Sequence, residues 1–198
     1  MAPLRLLLLR HAKSAWDDAR LADAERPLAP RGVRSAHRTA LLMHRKHKDV
    51  RVALALSSPA ARARETLAIA RAAWPALAKA KVRFHDALYD NVHGDYEGIG
   101  ESTLRAIADA ARIHDAPPSG TLVVVGHNFG FEQAASALVG GAEPVVLKTG
   151  AAALLEAPPT SVHWSAALRD TGAWHVVDVV RDNGRGGDGD ASWDDVVL

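Results

Sequence analysis

Leu4–Ser14 reads LRLLLLRHAKS, a run of apolar residues that stops on Arg10 and His11. A continuous apolar run of this length is the pattern of a strand covered on both faces, which calls for helices on both sides of a sheet. The pattern recurs in "RVALALSS" (51–58) and in "TLVVVGHNFG" (121–130), the clearest strand in the chain. A short strand within "KVRFHDALY" (81–89) and two more in "GAAALLEA" (150–157) and "AWHVVDVV" (173–180) complete the set. Helical patterns lie between them. From Arg31 to about Lys48, the apolar residues Val33, Ala36, Ala40, Leu41 and Met43 recur at helical spacing among basic ones. "PAARARETLAIARAAW" (59–74) has Pro59 in its first turn and stops before Pro75. A third helix begins near Ser102, with Ser102 as its N-cap, and a fourth runs from Phe131 to Val139, stopped by Gly140-Gly141. Strands alternating with helices predict an α/β fold: a three-layer α/β/α sandwich with a mainly parallel central sheet.

The totals agree with one such domain. The chain has 198 residues, 48% apolar and 24% charged, with only 5% aromatic, so Ala, Leu and Val carry the core. A net charge of +1 argues against nucleic acid or a membrane surface as partner, and any cationic site has to come from local clustering. The absence of cysteine excludes disulfides and thiolate zinc sites and fits a reducing compartment. Leu6–Leu9 is too short for a secretory core and is cut by Arg10, and no stretch approaches the roughly 20 apolar residues of a membrane span. A cytoplasmic protein is expected. "DDARLADAERPLAPRG" (17–32) reads as a surface loop. From Asp182 the composition shifts to Gly and Asp in "DNGRGGDGDASWDDVVL", whose spacing does not fit an EF-hand calcium loop. The expected organisation is a domain over residues 1–181 followed by a mobile tail over 182–198.

In open α/β sheets, ligands bind beyond the carboxyl ends of the strands. The first strand delivers Arg10 and His11 there. The second delivers Ser57 and Ser58, with Arg62 and Arg64 at the start of the helix that follows. "TLVVV" delivers His127 and Asn128, then Gly130. Each has a plain explanation by itself: an exit to solvent, a capping histidine, an Arg62 paired with Glu65. Together they bring arginine and histidine from three segments to one sheet edge, where helix N-termini add N–H groups suited to an anion. Forked guanidiniums grip phosphoryl oxygens in pairs and stabilise the charge that spreads over them in the transition state. The same cations push the His11 pKa down, and a neutral imidazole is a nucleophile whereas an imidazolium is not. Its other ring nitrogen would need a backbone carbonyl to fix the tautomer. There is no G-x-S-x-G elbow and no Walker-type loop.

"RHAKS" (10–14), "SSPAARARET" (57–66) and "VVGHNFG" (124–130) resemble, in order, the three signatures of the histidine phosphatase superfamily, the phosphoglycerate mutase-like group. "ERPLAPRG", "GHNFGFEQAASALVGG" and "LKTGAAALLE" look more specifically like its SixA-type phosphohistidine phosphatase branch, over roughly Leu4 to Val180. The resemblance implies a phosphoglycerate mutase-like fold and a covalent phosphohistidine on His11. Arg10 and Arg62 would hold the phosphoryl oxygens and His127 would be a further phosphate ligand. Ser14 and Asn128 would be substrate-pocket residues, and Arg64, at a variable position, a surface residue. No metal or organic cofactor is implied. Mutase-like members carry a glutamate that protonates the leaving oxygen, and "FHDALYDNVHGDYEG" (84–98) offers no clear match. Asp90 is the first candidate, then Asp86, with Glu97 further along.

The expected activity is therefore hydrolysis of a phosphomonoester on a small molecule, or of phosphohistidine on a protein, through His11. Two alternatives are a phosphoglycerate mutase-like phosphomutase and a non-catalytic phosphate or phosphoprotein-binding module. His37, His44 and His47 are expected on a basic solvated helix face. His85, His93, His114, His163 and His175 show no ligand-like grouping.

Overall fold

The computed structural model describes residues 3–90, 98–141 and 143–182, with the side chain of Asp90 outside that description. Glu97 and the expected tail beyond Asp182 therefore lie outside the described residues.

Among the described residues, six strands form one sheet: β1 (Leu4–Arg10), β2 (Val52–Ser57), β3 (Val82–Phe84), β4 (Gly120–Gly126), β5 (Ala152–Glu156) and β6 (His175–Val180), in the order β3-β2-β4-β1-β5-β6. The β1–β4, β2–β4 and β2–β3 pairs run parallel. The pairs β1–β5 and β5–β6 are antiparallel, so the sheet is mainly parallel: β5 alone runs against the rest, and the edge strand β6 points the same way as β1. Three of the helices, α1 (Pro30–Lys46), α2 (Ala61–Ala73) and α3 (Pro75–Ala78), pack on one face. The short α4 (Ala87–Asp90) lies between β3 and α5. The opposite face is covered by α5 (Ile99–Ile113), α6 (Gly130–Val139) and α7 (Trp164–Ala167).

The layering follows from alternation along β1. Leu6 and Leu8 enter the core with Leu104, Ile107 and Phe131, whereas Leu7 and Leu9 enter the core with Met43, Leu67 and Trp74. Successive strand side chains point to opposite faces, so a strand apolar at every position requires cover on both. This is the three-layer sandwich expected from the sequence.

Local differences have local causes. α5 begins at Ile99, after Gly98 in a left-handed conformation (φ 76°), three residues before the expected start. Ser102 is not its N-cap; its hydroxyl donates to the Ile99 carbonyl at 3.0 Å. Pro59 precedes α2 rather than sitting in its first turn, because the helix starts at Ala61. At the other end of α6, Gly140 (φ 66°) closes the helix in the left-handed conformation that glycine adopts most easily.

Candidate active site

β1, β4 and β2 are neighbours and run the same way, so the residues that follow them emerge side by side. The His11 N–H donates to Gly126 O at 2.9 Å, and the Ser58 N–H to Val125 O at 2.9 Å, holding all three exits in one register. The Ala12 N–H donates to Thr66 Oγ1 (3.1 Å), and that hydroxyl donates to Arg62 O (2.7 Å), which ties the first turns of α2 to the exit from β1.

His11 Nδ1 lies 2.8 Å from Ala12 O. A carbonyl only accepts, so Nδ1 carries the proton and Nε2 keeps its lone pair. Burial above all, with the Arg62 and Arg10 charges adding to it, lowers the His11 pKa to about 4. The sequence argument assigned this shift to the cations; desolvation is the larger cause.

The His127 ring stands 4.9 Å from His11, centroid to centroid. Its Nδ1 is 3.5 Å from Arg62 Nη2 and its Nε2 is 2.9 Å from Ser58 Oγ. A guanidinium only donates, so Nδ1 accepts and Nε2–H donates to the serine. Burial first, then His11 and Arg62, holds the His127 pKa down at about 2.

Arg62 is buried and paired, though not with Glu65. Its Nη1 donates to Asp23 O at 2.6 Å and its Nη2 to Asp23 Oδ2 at 2.9 Å, while Glu65 accepts from the Leu28 N–H. Asp23 also accepts from Arg26 Nη1 (2.7 Å) and from the Tyr89 hydroxyl (3.1 Å). Burial raises the Asp23 pKa, but hydrogen bonds and charge from Arg62, the Tyr89 hydroxyl and Arg26 outweigh it, so the carboxylate stays below its usual range. The stretch 17–32 is therefore not merely a surface loop. It carries a 3₁₀ turn (Asp23–Glu25) and a buried Arg26. Loops of this composition are normally solvated; here two buried guanidiniums need a counter-charge, and Asp23 supplies it.

Arg10 Nη1 donates to Leu147 O at 2.7 Å, and Asn128 Nδ2 donates to the same carbonyl at 3.1 Å. The Leu147 N–H in turn donates to Glu132 Oε1 (2.6 Å), whose charge favours the Arg10 cation against the burial that lowers its pKa. Ser14 Oγ accepts from Arg26 Nη2 at 2.7 Å, so this side chain serves the second layer of the site. Arg64 is exposed, over the Phe84 ring.

The structure thus brings Arg10, His11, Arg62, His127 and Asn128 together. Asp86 is exposed at the surface, and the Asp90 side chain lies outside the described residues, although the adjacent Tyr89 packs its ring 5.6 Å from His127. Sequence reasoning missed Asp23, Arg26, Tyr89 and Glu132. Only "GHNFGFE" held a signal, an acid in the first turn of the helix after the histidine. His47, directly after α1, is also more engaged than expected: it lies 3.0 Å from Asp178 of β6. Among the described residues, no group of three or more His, Asp or Glu side chains could hold a metal ion, and no helix is long and apolar enough to cross a membrane.

Residues 6–121 match the sequence profile of the histidine phosphatase superfamily (branch 1). An uncharacterised chloroplastic protein of Arabidopsis thaliana is 35% identical over 176 residues, covering 89% of this chain and 77% of that one. A structure assigned as the phosphohistidine phosphatase SixA of Agrobacterium tumefaciens matches with a TM-score of 0.65 at 26% identity, over 90% of this chain and 98% of the other. One with the same assignment from Nakamurella multipartitia gives 0.64 at 26% identity, over 90% and 96%.

Proposed function

The chain belongs to the histidine phosphatase superfamily, and on that premise we propose that it is a phosphatase whose nucleophile is His11. The observation that carries the reading is the His11 ring itself, with Nδ1–H held by Ala12 O, a pKa of about 4, and a free Nε2 beside Arg10, Arg62 and His127.

In the first step His11 Nε2 attacks phosphorus, the N–P bond forms, and the bond to the leaving group breaks. Arg10 and Arg62 bind the phosphoryl oxygens in place of part of their present carbonyl and carboxylate partners, and His127 closes the third side. In the second step water attacks phosphorus, phosphate leaves, and the neutral imidazole is regenerated. Asp23 keeps the Arg62 and Arg26 guanidiniums oriented before substrate arrives. Asn128 braces the Leu147 carbonyl that orients Arg10, and Ser14 holds Arg26, so both shape the substrate pocket at one remove.

Asp90 is the proposed acid for the leaving group, supported by its place in α4 next to Tyr89. Asp90→Asn is expected to slow an alkyl phosphate by about 10²-fold or more and an activated aryl phosphate far less, since general acids contribute about 10²–10⁴-fold where the leaving group needs a proton. Protein phosphohistidine is the preferred substrate class, supported by the SixA-assigned relatives and by the modest acid demand of a P–N bond. A reducing, cytoplasmic location is part of the same proposal. Among the described residues, α4 and α5 are the only helices between β3 and β4, which favours release to water over a phosphate-gripping mutase cap.

The test is hydrolysis of a chromogenic aryl phosphate, with His11→Ala alongside, and trapping of an acid-labile labelled protein. Turnover and label should both vanish in the variant; turnover surviving in His11→Ala would overturn the assignment.

A further inference from the structure

Ser58, one of the two serines at the end of β2, is fully buried and has had no part in the chemistry so far. Its hydroxyl oxygen accepts from the Ala60 N–H at 3.3 Å and from His127 Nε2–H at 2.9 Å. Its own N–H is tied to Val125 O, beside the turn that carries His127. A hydroxyl oxygen has two lone pairs, and these contacts use both. The Nε2 proton of His127 is thereby fixed, and the buried ring has only Nδ1 left to offer a ligand.

Nδ1 faces Arg62 Nη2 at 3.5 Å. The opposite tautomer would set Nδ1–H against a guanidinium N–H, two donors with no acceptor between them. His127 therefore holds a lone pair where Arg62 is to meet a phosphoryl oxygen. A phosphoryl dianion presents only acceptors, and a bare Nδ1 is one more. Around the ring stand His11 and Arg10 from β1, Arg62 from α2, Asp23 from the 3₁₀ turn and Tyr89 from α4. Burial first, then His11 and Arg62, keep the unliganded ring neutral. The His11 ring proton goes to Ala12 O and the Tyr89 hydroxyl proton to Asp23, so neither serves Nδ1. The proton that makes this contact attractive has to arrive with the ligand or from solvent.

We propose that Ser58, by fixing the His127 tautomer, makes this a site for a phosphoryl group that carries one proton, held between a phosphoryl oxygen and His127 Nδ1. A monoanion brings that proton as its own P–O–H, and a dianion binds by taking one up from solvent. The proton stays with the phosphoryl group during transfer to His11 and leaves with the phosphate product, so His127 ends as it began. Ser58 acts through His127 and is a positioning residue. The inference rests on the phosphatase reading and adds the protonation state of the group transferred.

The test is calorimetric titration of the full chain with inorganic phosphate, above the second pKa of phosphate, in buffers of different ionisation heat. The wild type should take up about one proton per phosphate bound, and its affinity should fall about tenfold per pH unit in that range. Ser58→Ala removes the acceptor for Nε2–H and frees the tautomer whose Nδ1–H donates to a dianion directly. Its uptake should vanish and its affinity should level off with pH, whereas Ser58→Thr, which keeps a hydroxyl, should behave as the wild type does. A serine needed only for packing would weaken binding equally at every pH. The ring nitrogen resonances of wild-type His127 give a readout without any variant: Nδ1 should be bare in the free protein and protonated or proton-sharing with phosphate bound. Should Ser58→Ala fail to fold, the wild-type uptake and these resonances still decide. Phosphate bound without uptake, or with Nδ1 still bare, overturns the proton-carrying site, and uptake persisting in Ser58→Ala overturns the role of Ser58. Phosphate failing to bind the wild type at all overturns the phosphatase reading beneath.

Discussion

Burial dominates the chemistry of the two central imidazoles. His11 and His127 are taken out of water beside two guanidiniums, so protonating either would add a third positive charge in a poorly solvated place. A titration of the ring proton resonances should give His11 a midpoint near pH 4, with His127 still neutral there; a His11 midpoint near 6.5 would remove the argument for a neutral nucleophile. The sign for stability follows. Both pKa values are depressed on folding, so the unfolded chain binds more protons below about pH 6.5. The stability that the neutral pair contributes is complete above that pH and is lost as pH falls toward about 4 for His11 and about 2 for His127. The arginines separate as clearly. Arg62→Ala removes a buried group 3.5 Å from His127 and is expected to lower aryl phosphate kcat/KM by about 10²–10³-fold, the scale of a lost oxyanion ligand. Arg64→Ala, at the surface, should change it by about twofold at most. Equal losses would place the wrong arginine in the site.

At the scale of elements, the site depends on helices held close to the strands that feed them. α6 follows the His127 turn directly, and α5 packs against it at Gly100, where an added Cβ would lie 2.9 Å from the backbone carbonyl carbon and the Cβ of Gln133. Backbone gives way less than a flexible side chain. Gly100→Ala should therefore cost about 1–3 kcal/mol in urea unfolding as the helices are pushed apart. Activity should fall with it, because Glu132, next to Gln133, holds the Leu147 backbone that orients Arg10. A fully stable, fully active Gly100→Ala would show that the α5–α6 contact has slack.

In the whole molecule, β1 is the axis. It is paired on both sides, by β4 and β5, and buries leucines on both faces. Leu8→Ala, at a site with no exposure, is expected to destabilise by about 2–5 kcal/mol. Val177→Ala on the exposed edge strand β6 should cost well under 1 kcal/mol. Comparable losses in denaturant midpoint would mean that the edge, not the centre, limits stability. Much of this design is readable without coordinates, since the LRLLLLRH and TLVVVGHN segments state both a two-face strand and the chemistry at its end. Secondary features such as the Ser102 cap were misplaced because caps depend on backbone turns that a single residue type does not specify. Asp23 was hidden for a related reason, in that an acid in a charge-rich loop looks solvated until its partners are known.

What the sequence by itself determined is what short-range pattern encodes: strands apolar enough to need two covers, and the residue types placed at their carboxyl ends. Tertiary structure alone decided which strand ends are neighbours, that Asp23 and Tyr89 close on Arg62, and that a remote Leu147 carbonyl orients Arg10. Those contacts join residues far apart in the chain, and both their energies and the imidazole pKa values depend on how much water the completed fold excludes.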